Sequence, residues 1–305
     1  MGIEQLLRNA GYRAVGKQGS PYAFDVIARK HDSSRTLILK CVEEIRDLSP
    51  KTALELKRAS KAFDGSVIVV NEGAPGQMEE LVQKRYGIPV ISPNTFKKML
   101  RGEKLPLIYT SRGGIYVKLR ASILRKRRKE LGLSLGDVAR ELGVSRRAVL
   151  EYEKGKMDAT LNVACKLEEL MGGDVIENLT FESLEGITDL SEPATTSGKE
   201  VKDEVLLNLL KTLEKLGCKS YVFSKTPFEL ASKYKSLVKL IVKKLKGEES
   251  EDVEELIIDL AEVTGSKAFI ITPEGEKEEH EHALIVPFSE FRDKTEDLVR
   301  QALEQ

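Results

Sequence analysis

Two arginines in succession, Arg146 and Arg147, open a short amphipathic run within residues 131–156, LGLSLGDVARELGVSRRAVLEYEKGK. A guanidinium at the exposed start of a helix can grip guanine O6 and N7 in a major groove. Such a helix must be held by its other face, and the spacing provides one. Ser145 is placed to cap it; Ala148, Val149 and Tyr152 fall inward, leaving Arg146, Arg147, Leu150 and Glu151 outward. A preceding helix over 135–142 carries Val138, Ala139 and Leu142 on one face, with Ser134 as its cap and Asp137 in its first turn. Gly143 ends that helix, because a residue without Cβ accepts the left-handed backbone a tight turn needs. Ser134, Ser145, Arg125, Lys154 and Lys156 stand around this pair of helices as candidate DNA contacts.

The pattern resembles the Cro/repressor-type helix-turn-helix family over about 50 residues, from Leu119 to Met171. Leu124, Arg125 and Arg128 are followed by Gly132, Leu133 and Ser134, and later by Glu153 and Gly155. The resemblance implies an internal ion pair between Arg128 and Glu153, tying the first helix to the end of the recognition helix. It also implies that Arg146, Arg147 and Glu151 sit where family members touch base edges. Two positions depart from the family: Leu135 replaces a phosphate-holding Gln, and Arg127 replaces an apolar residue.

Ahead of residue 110 the sequence alternates helix and strand. Helices are expected at 2–9, at 51–63 with Ser49 as cap, near 77–86 and at 94–101; strands at 22–29, 36–42, 66–70 and 89–92. This order resembles the restriction-endonuclease-like fold of archaeal junction-cleaving enzymes. There an Asp opens the second strand and a Glu-x-Lys lies on the third, the carboxylates holding Mg²⁺. Asp25 and Lys40 stand in the matching places, and Glu4 lies on the first helix, but the middle carboxylate is Ile38. An apolar group cannot ligate a hard cation. The expected role of Asp25 and Lys40 is therefore structural, as a buried ion pair or solvated strand ends.

The C-terminal region reads as a repeat of this unit. Residues 205–217 parallel 3–11, Phe228–Ala231 parallel Phe24–Ile27, and Leu240–Lys243 parallel Leu37–Lys40. Ala268–Ile271 likewise parallel Val67–Val70, and 285–291 parallel 90–96. Glu229 and Lys243 thus match Asp25 and Lys40, and Ile241 again replaces the metal carboxylate. A shared loss points to a scaffold. Small polar residues at 187–200 read as a linker. Residues 107–117 suggest a hairpin with Arg112 at its tip, either a basic wing beside DNA or a plain connector. The run Glu278-Glu279-His280-Glu281-His282 has too few histidines for a zinc site and reads as a solvated loop.

Composition frames these motifs. A chain of 305 residues suits two or three domains, and 41% hydrophobic content is ample for packed cores. No apolar stretch approaches membrane-spanning length, Met-Gly-Ile-Glu opens no signal peptide, and residue 6 is neither Ser nor Thr to support myristoylation of Gly2. Cys41, Cys165 and Cys218 lie far apart in apolar contexts and read as buried thiols in a reducing cytoplasm. Abundant Lys and Glu with no Trp hint at a thermophile. The zero net charge hides a division. Residues 1–114 hold 19 Lys+Arg against 12 Asp+Glu and residues 115–160 hold 12 against 6, a net of +13. Residues 161–200 hold 2 against 9 and residues 201–305 hold 16 against 22, a net of −13. A basic half can neutralise phosphates; an acidic half should stay off DNA and face transcription machinery or an effector.

The expectation is a multidomain chain, α/β plus all-α, with a central five-helix Cro/repressor-type module between two nuclease-like α/β units. Its parts would be 1–110, 117–173, a linker at 174–200, and 201–305. This domain order resembles archaeal helix-turn-helix transcriptional regulators. The resemblance implies a cytoplasmic, sequence-specific regulator on double-stranded DNA, acting as a homodimer on a pseudo-palindrome without cofactor, metal or membrane. The rival readings are a Mg²⁺-dependent nuclease or junction resolvase, and an architectural DNA-binding protein.

Overall fold

The computed structural model describes residues 2–31, 35–73, 79–172, 174–191, 201–235, 237–245 and 251–304. The chain divides into two compact units, one of residues 1–42, 46–69 and 190–305, the other of residues 43–45 and 70–189. This division differs from the expected boundary at 110.

The element order of residues 3–100 recurs over 204–304. The first copy runs α1 (Ile3–Asn9), β1 (Tyr12–Gly16), β2 (Val26–Lys30), β3 (Thr36–Val42), α2 (Pro50–Phe63), β4 (Gly65–Asn71), β5 (Leu81–Arg85), β6 (Ile88–Ile91) and α3 (Pro93–Leu100). The second runs α9 (Glu204–Lys215), β10 (Lys219–Val222), β11 (Leu230–Tyr234), β12 (Leu237–Lys244), α10 (Glu251–Thr264), β13 (Lys267–Thr272), β14 (Glu278–His280), β15 (Ala283–Pro287) and α11 (Phe288–Glu304). Between them lie β7 (Ile108–Ser111), β8 (Gly114–Val117), α4 (Ala121–Glu130), α5 (Leu135–Leu142), α6 (Arg146–Glu153), β9 (Ala159–Thr160), α7 (Leu161–Met171) and α8 (Phe181–Glu185).

In the first unit, β1, β2, β3 and β4 are neighbours in that order, and the second copy forms a sheet β10-β11-β12-β13-β15-β14. Both open with antiparallel pairs: Ala14 opposes Ala28, Val26 opposes Leu39, and correspondingly Tyr221 opposes Ala231 and Leu230 opposes Val242. Helix α2 follows from its sequence, since the Ser49 hydroxyl accepts from the Thr52 N–H and Pro50 takes the first turn. It is buried almost all round, Glu55, Lys57 and Arg58 included. A helix hidden on every side must be covered from both sides. Here α2 packs on β3 of its own copy and on β10 and β11 of the other, while α10 packs on β12 and β13 and on β1 and β2. The two copies are therefore reciprocal partners inside one chain. Phe24, Phe63, Phe223 and Phe228 cluster there, with ring centroids 5.1–6.2 Å apart. Glu55 accepts from the N–H groups of Ser224 and Lys225 at 3.1 and 3.3 Å, and Lys233 reaches Asp64 at 2.6 Å.

In the second unit, β6, β5, β7, β8 and β9 are neighbours in that order. The four helices α4–α7 enclose Leu124, Val138, Leu142, Val149, Tyr152, Leu167 and Met171, with Val117 and Leu119 beneath.

Several expectations need correction. Residues 81–85, expected in a helix, form β5, because Tyr86 and Gly87 have positive φ (51° and 80°) and reverse the chain into an antiparallel pair with β6. The strand expected at 22–29 starts only at Val26, and β1 was not foreseen. Among the described residues no fifth helix follows α7 directly: residues 175–180 run extended, with Leu119 bridging to Ile176 and Pro106 to Asn178, and the next helix, α8, sets Phe181 against Phe96 at 6.0 Å. Residues 174–191 are thus no linker, since Val175, Leu179, Leu184 and Ile187 are buried; 192–200 lie outside the described residues. Cys165 is exposed and Cys41 half-buried, because the inward stripe of α7 is Ala164, Leu167 and Met171 and Cys165 is one position off it. Only Cys218 is a buried thiol, its pKa pushed up to about 11 by burial. The solvated loop expected at 278–282 is partly the exposed edge strand β14.

Candidate nucleic-acid interface

Helix α5 begins with a reciprocal cap: the Asp137 N–H donates to the Ser134 hydroxyl at 3.1 Å, and the Ser134 N–H donates to the Asp137 carboxylate at 2.9 Å. Hydrogen bonding of the carboxylate by the Ser134 hydroxyl first, and then by the Ser134 N–H, holds the Asp137 carboxyl below its usual range. Gly143 (φ 71°) turns the chain, and the Ala148 N–H donates to the Ser145 hydroxyl at 3.1 Å, starting α6. Val149 and Tyr152 are buried, Ala148 half-buried.

Arg128 fixes α6 from below. Its guanidinium makes a two-pronged pair with Glu153, Nη2 to Oε2 at 3.0 Å beside a shorter Nε–Oε1 contact, and Nη1 donates to the Leu133 carbonyl at 2.9 Å. The pair is nearly out of solvent, with side-chain exposures of 13% and 4%. The Glu153 hydrogen bond raises the Arg128 pKa further. Both departures from the family pattern have a local reason: Leu135 packs against the rim of the core, and Arg127 is exposed and paired with Glu130 at 3.4 Å.

With its inner face locked, α6 presents Arg146 and Arg147 to solvent, together with Leu150 (36% exposed). Glu151 is half-buried and holds Lys154 at 3.2 Å. Arg125, Arg146, Arg147 and Lys156 are exposed and make no ion pair among the described residues. An unpaired guanidinium on a fixed helix start is what bidentate base readout requires. The structure thus gathers Ser145, Arg146, Arg147, Leu150 and Lys154 along α6 and its cap, with Ser134 capping the neighbouring α5, whereas Arg125 lies on α4.

One further cluster has no local signal in the sequence. The Tyr109 hydroxyl donates to Asp158 at 2.5 Å, Lys118 pairs with the same carboxylate at 3.2 Å, and Lys84 lies 4.3 Å over the Tyr109 ring. Burial, then the Asp158 hydrogen bond, pushes the Tyr109 pKa well up. Forty-nine residues separate Tyr109 from Asp158, so only the folded chain joins them.

The nuclease-like positions are closed. Asp25 is fully buried: Oδ1 accepts from the Ser20 N–H at 3.0 Å and Lys40 at 3.1 Å, and Oδ2 accepts from the Cys41 N–H at 2.6 Å. Lys40 also donates to the carbonyls of Ser20 and Tyr22. The second copy repeats this: Glu229 accepts from Lys243 at 3.2 Å and from the Lys244 N–H at 3.0 Å. The backbone sets the match, Asp25 N–H to Leu39 carbonyl and Glu229 N–H to Val242 carbonyl. Ile38 and Ile241 are wholly buried where a second carboxylate would be needed, and Glu4 is paired with Arg8 on α1. These residues do not fit a Mg²⁺ ion, which needs several free hard oxygens. His280 and its acidic neighbours lie on exposed β14, and no helix among the described residues is long and apolar enough to cross a membrane.

Comparison with known proteins agrees with both parts. The family described as PD-(D/E)XK superfamily domain matches residues 2–105, and the family described as helix-turn-helix matches residues 124–178. A protein of Archaeoglobus fulgidus is 34% identical over 236 residues, 76% of this chain and 73% of its own length; its name is "Putative HTH-type transcriptional regulatory protein". Relatives of the same description from Thermoplasma acidophilum (33% over 276 residues, 88% of this chain and 84% of theirs) and Methanocaldococcus jannaschii (30% over 287 residues, 90% and 86%) cover more. No solved structure matches the chain. With such identity along most of both lengths, the chain belongs to the archaeal family of HTH-type transcriptional regulatory proteins.

Proposed function

We propose that the chain regulates transcription by sequence-specific binding of duplex DNA, with α6 in the major groove. Arg146 and Arg147 read base edges, with Leu150 beside them; Ser134, Ser145, Arg125, Lys154 and Lys156 hold phosphates. The observation that carries this reading is the pair of exposed, unpaired arginines on a helix locked from behind by Arg128–Glu153. A homodimer on a pseudo-palindrome is the assembly proposed, and its contact lies away from α2 and α10, whose faces the internal repeat pair already covers. The acidic C-terminal copy is the surface offered to transcription machinery or an effector.

The test is binding to a selected preferred duplex against scrambled competitor across a salt series. Arg147→Ala should cost about 1–3 kcal/mol on the preferred site and relax base preference there. Lys156→Ala should weaken all duplexes alike. Equal binding of every duplex by parent and Arg147→Ala would sink the base-readout role and favour an architectural protein.

The two α/β copies act as a scaffold and do not cleave. Branched, single-stranded and duplex nucleic acids incubated with Mg²⁺ or Mn²⁺ should stay intact. Cleavage abolished by Asp25→Ala would restore the nuclease reading.

A further inference from the structure

Resting on the DNA-binding reading above, we propose that the β7–β8 hairpin is a second DNA contact: a wing whose tip, Arg112, holds a backbone phosphate beside the major-groove site.

The hairpin is clamped at its base and free at its tip. On one side β7 pairs with β5 only through Ile108 and Tyr109; on the other, β8 pairs with β9 only through Tyr116 and Val117. Beyond these, Thr110 opposes Ile115 and Ser111 opposes Gly114, with Arg112 and Gly113 as the turn. At a rise of about 3.4 Å per residue the free end projects roughly 10 Å from the sheet. Ser111, Arg112, Gly113 and Gly114 are all exposed. Gly113 and Gly114 have φ of 98° and 147°, so the turn needs residues without Cβ, which leaves Arg112 as the tip's one large side chain.

The clamp joins the hairpin to the reading head. Strand β9 directly follows the loop that leaves α6, and that loop carries Lys154 and Lys156, both exposed. Asp158 in the same loop is gripped by Tyr109 of β7 and by Lys118, which follows β8. Hairpin and recognition helix are thus fixed to one short segment. The Asp158 charge is answered by Lys118, so it does not repel a phosphate approaching the tip.

Charge favours the same ligand. Residues 104–129 contain nine Lys+Arg and no Asp or Glu. Within that run Lys118, Arg120 and Arg128 are engaged by Asp158, Asp174 and Glu153, and Lys126 and Arg127 by Glu130. Arg112 has no hydrogen-bond or ion-pair partner among the described residues. An exposed cation on a small rigid tip suits a phosphodiester, which carries no sequence information.

The experiment compares full-length parent, Arg112→Ala and Arg147→Ala on the preferred and scrambled duplexes from 50 to 200 mM salt. One lost phosphate contact should lower the slope of log affinity against log salt by about 0.9, a loss of about three- to tenfold at low salt, equal for both duplexes. Hydroxyl-radical footprints of Arg112→Ala should also lose protection at backbone positions flanking the major-groove site. If Arg112→Ala keeps the parent's slope and footprint while Arg147→Ala relaxes base preference, the hairpin is only a connector and the proposal falls alone. If the parent binds no duplex, the DNA-binding reading falls and takes the wing with it.

Discussion

The paired α/β copies and the helix-turn-helix module use charge in opposite ways. In the copies, Asp25, Glu55 and Lys243 are buried and Lys40 nearly so, and each meets a partner from the same chain. In the module, Arg125, Arg146, Arg147 and Lys156 lie in solvent with no ion pair among the described residues. A buried charge without its partner costs several kcal/mol, so inward charges are bound to structure. An exposed unpaired cation costs little and stays available to phosphate or base. The difference separates two inherited motifs: one has turned its charges into fasteners, the other has kept them outward. Arg128 marks the border, since it belongs to the module yet behaves as the charges of the copies do.

The largest effect should come from breaking an inward charge. Asp25→Ala leaves the Ser20 and Cys41 N–H groups without their acceptor and Lys40 without its counter-charge, and about 3–5 kcal/mol of folding free energy should be lost, read from urea unfolding. Glu229→Ala is the milder counterpart. Its side chain is 26% exposed, so water can reach part of what it leaves beside the buried Lys243, and about 1–3 kcal/mol is expected. Equal losses would show that the two copies are closed to the same degree.

A middle-sized effect tests the pairing of the copies. Glu55→Ala leaves the Ser224 and Lys225 N–H groups unsatisfied, a loss of about 1–3 kcal/mol. Hydrogen exchange at those two amides should quicken while exchange in α5 and α6 does not change. Unchanged protection at Ser224 would mean that the aromatic cluster of Phe24, Phe63, Phe223 and Phe228 holds the copies by itself.

Smaller still is the expected effect of an outward charge on folding. Arg146→Ala should leave unfolding within about 0.5 kcal/mol of the parent while weakening DNA binding. A loss of stability matching that of Asp25→Ala would erase the contrast between the two regions.

What could be read from the sequence follows the same line. The helix-turn-helix was legible because its signals are local: Ser134, Gly143 and Ser145 lie within twelve residues of each other and fix both helices. The repeat was legible because strands such as Val67–Val70 and Phe269–Ile271 are β-branched or aromatic runs at matching places. What escaped depends on distance or on unusual turns. The Tyr86-Gly87 reversal puts a tyrosine at positive φ, so 81–85 kept a helix-like reading. Glu55 and Ser224 are 169 residues apart, and nothing local tells that α2 will be covered on both sides. The edge strand β1 is short and half-exposed, so its alternation is weak. The folded chain also reassigns the charge division. The C-terminal copy, net −6 over residues 201–305, lies with residues 1–42 and 46–69, which hold 12 Lys+Arg against 6 Asp+Glu, and their contacts include Arg13 with Glu262.

The smallest predicted effect concerns pH and separates the two regions once more. The Ser134 hydrogen bonds hold the Asp137 carboxyl below its usual 3.8, so the folded module binds that proton less readily than the unfolded chain. A depressed carboxyl contributes its stability fully above the unfolded value, and the contribution fades as pH falls through the folded one. The gap in thermal midpoint between parent and Asp137→Asn should therefore be widest near neutral pH and should shrink from about pH 4 downward. The side chain is partly exposed, so the gap should be modest, and it should appear in helical signals of the module without a matching change in exchange at Ser224. A gap that stays constant to pH 2 would show that the cap acts through its neutral hydrogen bonds alone. That outcome would leave Arg128–Glu153 as the charge interaction with real weight in the module's folding.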